Sequence, residues 1–411
     1  MMERRWLILL VGAANFFFSQ LYRSTNAVLA PYLVRDLLLN SESLGFLSAA
    51  FFYSFALTQI PILLTIDKVG PRRLMTGLGV VGVVGALTFA LARNAQMAVA
   101  GRLLMGIGMS CAFIGSLKLL SVWFSPVTFA TVSGLLTSIG TLGNIVSTSP
   151  LAAMAKMFGW RESFLILAGV HAVVIMLLWL IVRDRPAGME PENPGSGKFS
   201  HMRHLVYSRD FWLISAVAFL RYGTFASLQA LWAGPLLIMV WKMSPITAGN
   251  VILAMNVGTI LGFPLWGFMS DKVFHTRKYL VAVGVFLLAL TTWLLTLFDE
   301  GVSPFLPGIV FFVMGIFTTS GQLMYAQIKE LFPPSMSGAA MTGINFFNML
   351  GPAFFLQFLG ILMSFFYPGT SLGAEAFRTA IYFCVCCQLL AGFLSLTTQE
   401  IRMGGSITRG K

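Results

Sequence analysis

Twelve predominantly apolar blocks follow one another along this chain, near 7–31, 43–66, 73–93, 97–121, 130–153, 163–182, 211–235, 247–270, 278–297, 305–328, 339–365 and 375–397. Each is close to the length of about 20 residues that a helix needs to cross the hydrocarbon core of a bilayer. In that medium no water satisfies backbone N–H and C=O groups, so a spanning segment outside a closed barrel has to be a helix. The pattern predicts an all-α membrane protein with twelve transmembrane helices. Composition agrees, with 57% of residues hydrophobic and 10% charged, against roughly 25% charged in soluble chains. The basic start from Met1 to Arg5 looks like the head of a secretory signal, but the apolar run continues past Tyr32 without a small-residue cleavage site. It is therefore expected to stay as the first span.

Between the sixth and seventh blocks, 183–210 carries Pro186, Pro191, Pro194, Gly195 and Gly197 among charges of both signs, the composition of a surface linker. It separates a first six-helix bundle at 1–182 from a second at 211–411. The halves match: 36 residues separate Pro31, in Ala30-Pro31-Tyr32-Leu33, from Asp67, and the same 36 separate Pro235, in Gly234-Pro235-Leu236-Leu237, from Asp271. An internal duplication offset by 204 residues accounts for this and predicts two bundles with pseudo-two-fold symmetry.

The net charge of +12 does not point to nucleic acid, because the basic residues are scattered singly between apolar blocks. Topology explains it. With both termini and the linker in the cytoplasm, 17 of the 27 Lys and Arg fall on the cytoplasmic side and 6 on the other, the bias expected of a multi-pass inner-membrane protein. The remaining four, Arg23, Arg102, Lys118 and Arg221, lie inside spans, whereas all 15 Asp and Glu fall in loops, termini or span boundaries. An unpaired cation in the membrane interior costs at least about 2.5–3.5 kcal/mol. With no intramembrane carboxylate to pair it, the expected partner is an anion that comes and goes.

Arg23 belongs to a polar stripe with Asn15, Ser19, Tyr22 and Asn26, which fall on one helical face expected to line an aqueous cavity. Arg221 lies ten residues after Phe211, about 15 Å into its helix and near the midplane. The bland reading of both is a cation satisfied by backbone carbonyls or helix ends. Arg102 and Lys118 share the fourth span, about 160° apart around a regular helix, so at most one faces a cavity squarely. Lys118 is near enough to the cytoplasmic end to snorkel. Thr318, Gln322, Tyr325 and Lys329 on the tenth span, with Thr342, Asn345 and Asn348 on the eleventh, are cavity walls or ties between helices. His171, the one histidine within a span, is either a proton carrier or a packing residue held by hydrogen bonds. Cys111, Cys384, Cys386 and Cys387 read as buried free thiols, and neither a metal nor a cofactor is expected. No nucleophile and base stand at a motif spacing and no loop is built to cradle phosphates, so the chain is not expected to be an enzyme.

Asp67-Lys68-Val69-Gly70-Pro71-Arg72-Arg73 resembles the signature loop of the major facilitator superfamily, and Gly267 through Asp271-Lys272 to Arg277-Lys278 repeats it in the matching loop of the second half. Leu63 stands where that signature has a glycine. Arg102, Gly106 and Gly108 are similar to the superfamily's fourth-helix motif. Gly159-Trp160-Arg161 and Arg183-Asp184-Arg185-Pro186 are similar to the flanks of the sixth helix in its organic-anion and sugar-phosphate branches. Asn144 and Ser149-Pro150 replace the Gly-Pro pair of drug/proton antiporters, which disfavours a multidrug exporter. Arg23, eight residues before Pro31, and Leu220-Arg221-Tyr222-Gly223 resemble the two substrate arginines of the organophosphate:phosphate antiporters, and Ser270-Asp271-Lys272-Val273-Phe274 is a further local match. Arg221 stands 14 residues before Pro235, a longer spacing than in that family, the second span has no lysine and the fifth no histidine.

The resemblance implies the major facilitator fold, alternating access by two rocking bundles, and a clamp in which Arg23 and Arg221 hold an oxyanion. With the polar faces, the expected substrate contacts are Arg23, Arg221, Tyr22, Asn26, Tyr222, Gln322, Tyr325 and Asn345. Asp67, Arg72, Arg73, Arg102, His171, Asp271, Lys272 and Arg277 are expected to gate or couple. The expected function is secondary transport of a small organic anion, a carboxylate or phosphate ester, by a monomer that exchanges it for a counter-anion or moves it with protons. A proton-coupled carrier of amino acids or other zwitterions and a non-transporting membrane sensor are the alternatives.

Overall fold

The computed structural model describes residues 2–186, 205 and 207–400, with the side chains of a few helical residues, Leu63 and Asp67 among them, left aside. Most of the expected linker, the last eleven residues and the Asp67 side chain therefore lie outside the described residues. The chain divides into two compact units, Met1–Pro194 and Gly195–Lys411. Among the described residues there is no strand.

The first unit consists of α1 (Met2–Ser24), α2 (Asn26–Leu37), α3 (Ser41–Val69), α4 (Pro71–Ala90), α5 (Ala95–Met109), α6 (Ala112–Trp123), α7 (Pro126–Val146), α8 (Ser149–Phe158) and α9 (Trp160–Ile181). Local chemistry sets several ends. Asn40 caps α3 by accepting from the Ser43 amide at 2.9 Å while the Ser43 hydroxyl accepts from the Asn40 amide at 3.0 Å. Asn94 caps α5 through the Met97 amide. Gly70 turns the chain between α3 and α4 at φ +90°, a conformation that needs glycine, and Pro71 opens α4 where its missing N–H is not needed.

The second unit consists of α10 (Arg209–Ser227), α11 (Pro245–Phe268), α12 (Lys278–Leu294), α13 (Phe305–Thr318), α14 (Leu323–Leu331), α15 (Pro334–Phe366) and α16 (Ala374–Leu396). Irregular segments extend these helices. After α10 the chain makes π-helical turns at Leu228–Trp232 and Leu236–Val240, α11 runs into a π turn at Met269–Phe274, and a 3-10 turn at Thr319–Gln322 joins α13 to α14.

Ten helical stretches among the described residues are long and apolar enough to cross a membrane. The first and fifth of the twelve expected spans are outside that set, and both are broken: α1 stops at Ser24 and α2 resumes at Asn26, while α7 and α8 are separated at Ser147–Thr148. The fourth span also turns, at Ser110–Cys111, so the 160° expected between Arg102 and Lys118 on one regular helix does not carry over. Large apolar side chains face outward along the spans, among them Leu180 (63% exposed) and Phe393 (60%), as lipid-facing residues do. Inside, each unit has its own apolar core: Ile8, Ile62, Met75 and Leu178 in the first, Ile214, Val281, Met324 and Ile344 in the second. All four cysteines are free, and only Cys111 and Cys384 are buried, because Cys386 and Cys387 occupy other faces of α16.

Candidate functional site

In the first unit the polar stripe of α1 is mostly turned into its own bundle. Asn15, Ser19, Tyr22 and Asn26 are each about 1% exposed or less. Asn15 Oδ1 and the Tyr22 hydroxyl lie 3.4 and 3.5 Å from the ring nitrogens of His171 on α9, Ser19 donates to the Met109 carbonyl, and Asn26 donates to Ser48 at 2.7 Å. These polar groups tie helices together, as they commonly do in lipid. Tyr22 and Asn26, expected as substrate contacts, have their side chains inside the bundle, facing His171 and Ser48. His171 is stacked on Phe18 at 4.6 Å, a packing position. Arg23 remains half-buried, its guanidinium 5.2 Å from the Phe55 ring and 6.0 Å from Phe52.

Arg102 is wholly buried. Its Nη1 donates at 2.6 Å to the carbonyl of Tyr22, in the last turn of α1, and the group lies over Phe51 at 5.1 Å. A helix that stops inside a membrane leaves carbonyls unsatisfied at its negative end. Arg102 supplies the missing donor where α1 breaks. Its Nε and Nη2 are sealed without a partner.

Arg221 plays the same part in the second unit, and with more to spare. Its Nη1 donates to the carbonyl of Thr318, the last residue of α13, and lies 3.3 Å from the Thr318 hydroxyl. The guanidinium rests on Gly321 in the 3-10 turn, and its carbon is 5.9 Å from the Tyr222 ring. Tyr222 and Tyr325 are near enough to interact electrostatically with its charge. The Tyr325 hydroxyl accepts from Asn348 at 2.6 Å and donates to Asn345 at 3.2 Å, which ties α14 to α15. Gln322 is exposed, since the 3-10 turn rotates it away from the face expected of a continuous helix. The structure thus gathers Arg221, Tyr222, Tyr325 and Asn345 with Thr318 and Asn348 of the same polar faces, and adds Gly321.

The two signature loops are built alike but held differently. In the first, the backbone N–H of Arg72 donates to Asp184 at 2.7 Å, and the Arg72 guanidinium reaches the Trp179 carbonyl at 2.7 Å while stacking on its ring at 4.3 Å. Arg73 is exposed. In the second, Arg277 pairs with Asp271, donates to Ser270 at 2.6 Å and lies 3.4 Å from Glu330. Glu400 accepts from the Thr276 hydroxyl at 2.8 Å and from the backbone N–H groups of Arg277 and Lys278, where an anion suits the start of α12. Lys272 is exposed. Asp184 and Glu400 escaped notice as caps, although both follow the last span of their half at nearly the same interval, a signal the duplication offered.

At the other end of α9, Asp36 accepts from Trp160 Nε1 at 2.9 Å and Arg161 at 3.0 Å, and pairs with Arg35 at 2.7 Å. The Arg35 guanidinium, helped by Trp160 and Arg161, holds the Asp36 carboxyl below its ordinary range.

The profile of the Major Facilitator Superfamily matches residues 11–355 and again 222–406. The "Membrane sensor protein UhpC" of Escherichia coli strain K12 is 24% identical over 382 residues, covering 85% of this chain and 83% of that protein. The "Hexuronate transporter" of Bacillus subtilis strain 168 is 23% identical, over 84% of this chain and 85% of its own length. The "Probable sulfoacetate transporter SauU" of Cupriavidus necator is 26% identical over 184 residues, and the match spans only 43% of that protein. Among solved structures, the nucleoside transporter NupG aligns with a TM-score of 0.81 at 11% identity over 95% of this chain and 99% of that one, a likeness of fold.

Proposed function

This chain belongs to the Major Facilitator Superfamily, and on that premise we propose that it is a secondary transporter moving a small organic anion, a carboxylate or phosphate ester, across the inner membrane by alternating access. The observation that carries the reading is Arg221: a cation 4% exposed, with a backbone carbonyl and a hydroxyl as its polar partners and no carboxylate paired with it among the described residues. Such a group is costly unless a negative charge visits it, and Arg suits two-point recognition of carboxylates and phosphates. Arg23 is its proposed counterpart in the first unit. The relatives named for hexuronate and sulfoacetate transport support an anionic solute.

Both termini are proposed to be cytoplasmic, on the 17 to 6 bias of basic residues. Alkaline phosphatase fused after residue 195 should be inactive, and strong activity there contradicts the orientation. Coupling is proposed to be exchange, because an emptied Arg221 site disfavours reorientation without an anion and because His171 is enclosed by Phe18, Tyr22 and Asn15. In proteoliposomes, preloading with unlabelled galacturonate or glucose 6-phosphate should accelerate uptake of the labelled anion without a pH gradient. Accumulation into empty vesicles that depends on an inward proton gradient and falls in His171→Ala contradicts exchange. The likeness to UhpC, across most of both chains, favours a membrane sensor as the second reading. Anion binding without any flux in those vesicles would select it.

A further inference from the structure

Gly321 sits where helices α13 and α14 are joined by the 3-10 turn, and the space its missing side chain leaves is filled by Arg221. A Cβ built on Gly321 would collide with the Arg221 guanidinium carbon, Nη2 and Nε, and those are its three nearest atoms. The arginine is thus laid flat on a glycine and anchored at one corner by the Thr318 carbonyl and hydroxyl through Nη1. The opposite edge is unused: Nε is buried without a hydrogen bond, and Nη2 makes none among the described residues yet is not sealed from solvent. Arg102 offers the contrast, because both its Nε and its Nη2 are sealed.

Resting on the anion-carrier reading above, we infer that the anion docks on Nη2 of Arg221, and that Gly321 is the specificity-determining position that makes this group available. An N–H donor on a charged guanidinium makes a short, strong hydrogen bond to an oxygen of a carboxylate, phosphate or sulfonate. A side chain at Gly321 would push Nη2 out of place while leaving the charge in the helix. Gly321 acts through Arg221 and is a positioning residue.

The test is a double-mutant cycle read by ligand binding in detergent, with galacturonate, sulfoacetate and glucose 6-phosphate as probes. Gly321→Ala should weaken the best-bound probe by about 10- to 100-fold, the loss of one charge-assisted hydrogen bond. Gly308→Ala, on α13 with open space around it, should leave binding unchanged. In the Arg221→Ala background, Gly321→Ala should have no further effect, because no guanidinium remains to be displaced. Additive losses overturn the inference, as does wild-type binding in Gly321→Ala. If Gly321→Ala fails to fold, Arg221→Ala/Gly321→Ala should recover the thermal midpoint of Arg221→Ala, and a double variant that stays unfolded also overturns it. Arg221→Ala binding with wild-type affinity, or a wild type that binds none of the three probes, sinks the carrier reading itself. Normal Gly321→Ala binding beside a dead Arg221→Ala removes only the slot.

Discussion

Each unit carries an arginine deep in a span, and each of these arginines donates to a carbonyl in the last turn of a helix that stops within the membrane: Arg102 to Tyr22 in α1, Arg221 to Thr318 in α13. Beyond that shared bond they diverge. Arg102 is sealed on every side and lies on Phe51, whereas Arg221 keeps Nη2 open and lies on a glycine beside two tyrosines. The same residue type in the same low-dielectric setting therefore serves two ends. One arginine welds a broken helix to its neighbour, and the other does so with Nη2 held in reserve.

The comparison breaks or sharpens on the following variants. Arg221→Ala should cost about 100-fold or more in anion binding, the upper range for a charge-assisted pair, with a smaller effect on the thermal midpoint; calorimetric titration measures the first and a melting scan the second. Arg102→Ala should do the reverse. Removing the donor strands the Tyr22 carbonyl and should lower stability by about 2–3 kcal/mol, a fall of roughly 5–10 °C for a unit of this size. Equal losses of midpoint and binding in both variants would erase the distinction.

The caps extend the comparison to the loops. Glu400 serves two backbone N–H groups and a hydroxyl, while Asp184 serves the single N–H of Arg72. Glu400→Ala should therefore lower stability by about 1 kcal/mol, and Asp184→Ala by less. Asp36→Asn should have the smallest effect, about 1 kcal/mol or below for a half-exposed pair. Its pH dependence is the informative part. The folded carboxyl titrates below its unfolded value of about 3.9, so its contribution is fully present above that pH and is lost as pH falls through the lower folded value. Wild type and Asp36→Asn should differ at pH 7 and converge below about pH 4.

Much of this was legible in advance, for definite reasons. Spans and the duplication show in sequence because lipid imposes length and apolarity on every helix, and because Asp67 and Asp271 sit at the same interval from Pro31 and Pro235. The breaks were not legible. Periodicity at 100° per residue assumes a regular helix, so it placed Gln322 with Tyr325 and missed the 3-10 turn that ends at Gln322. A polar stripe that pairs inside a bundle, as Tyr22 and Asn26 do here, has the same pattern as one that lines a cavity. The long interval from Arg221 to Pro235 was visible without its cause. The π turn at Leu228–Trp232 lies in that interval, and a wider turn takes up additional residue length there. Gly321 gave no signal, since nothing in sequence says which side chain fills the space a glycine leaves.

The anion-carrier reading is tested most directly by melting wild type and Arg221→Ala side by side with galacturonate, sulfoacetate, glucose 6-phosphate and a cationic control such as choline. At 100 times its Kd, a bound anion should stabilise the wild type by about 2.7 kcal/mol, with no shift from choline and none in Arg221→Ala. A wild type stabilised by choline alone, or an Arg221→Ala protein stabilised by the anion as much as the wild type, would contradict it.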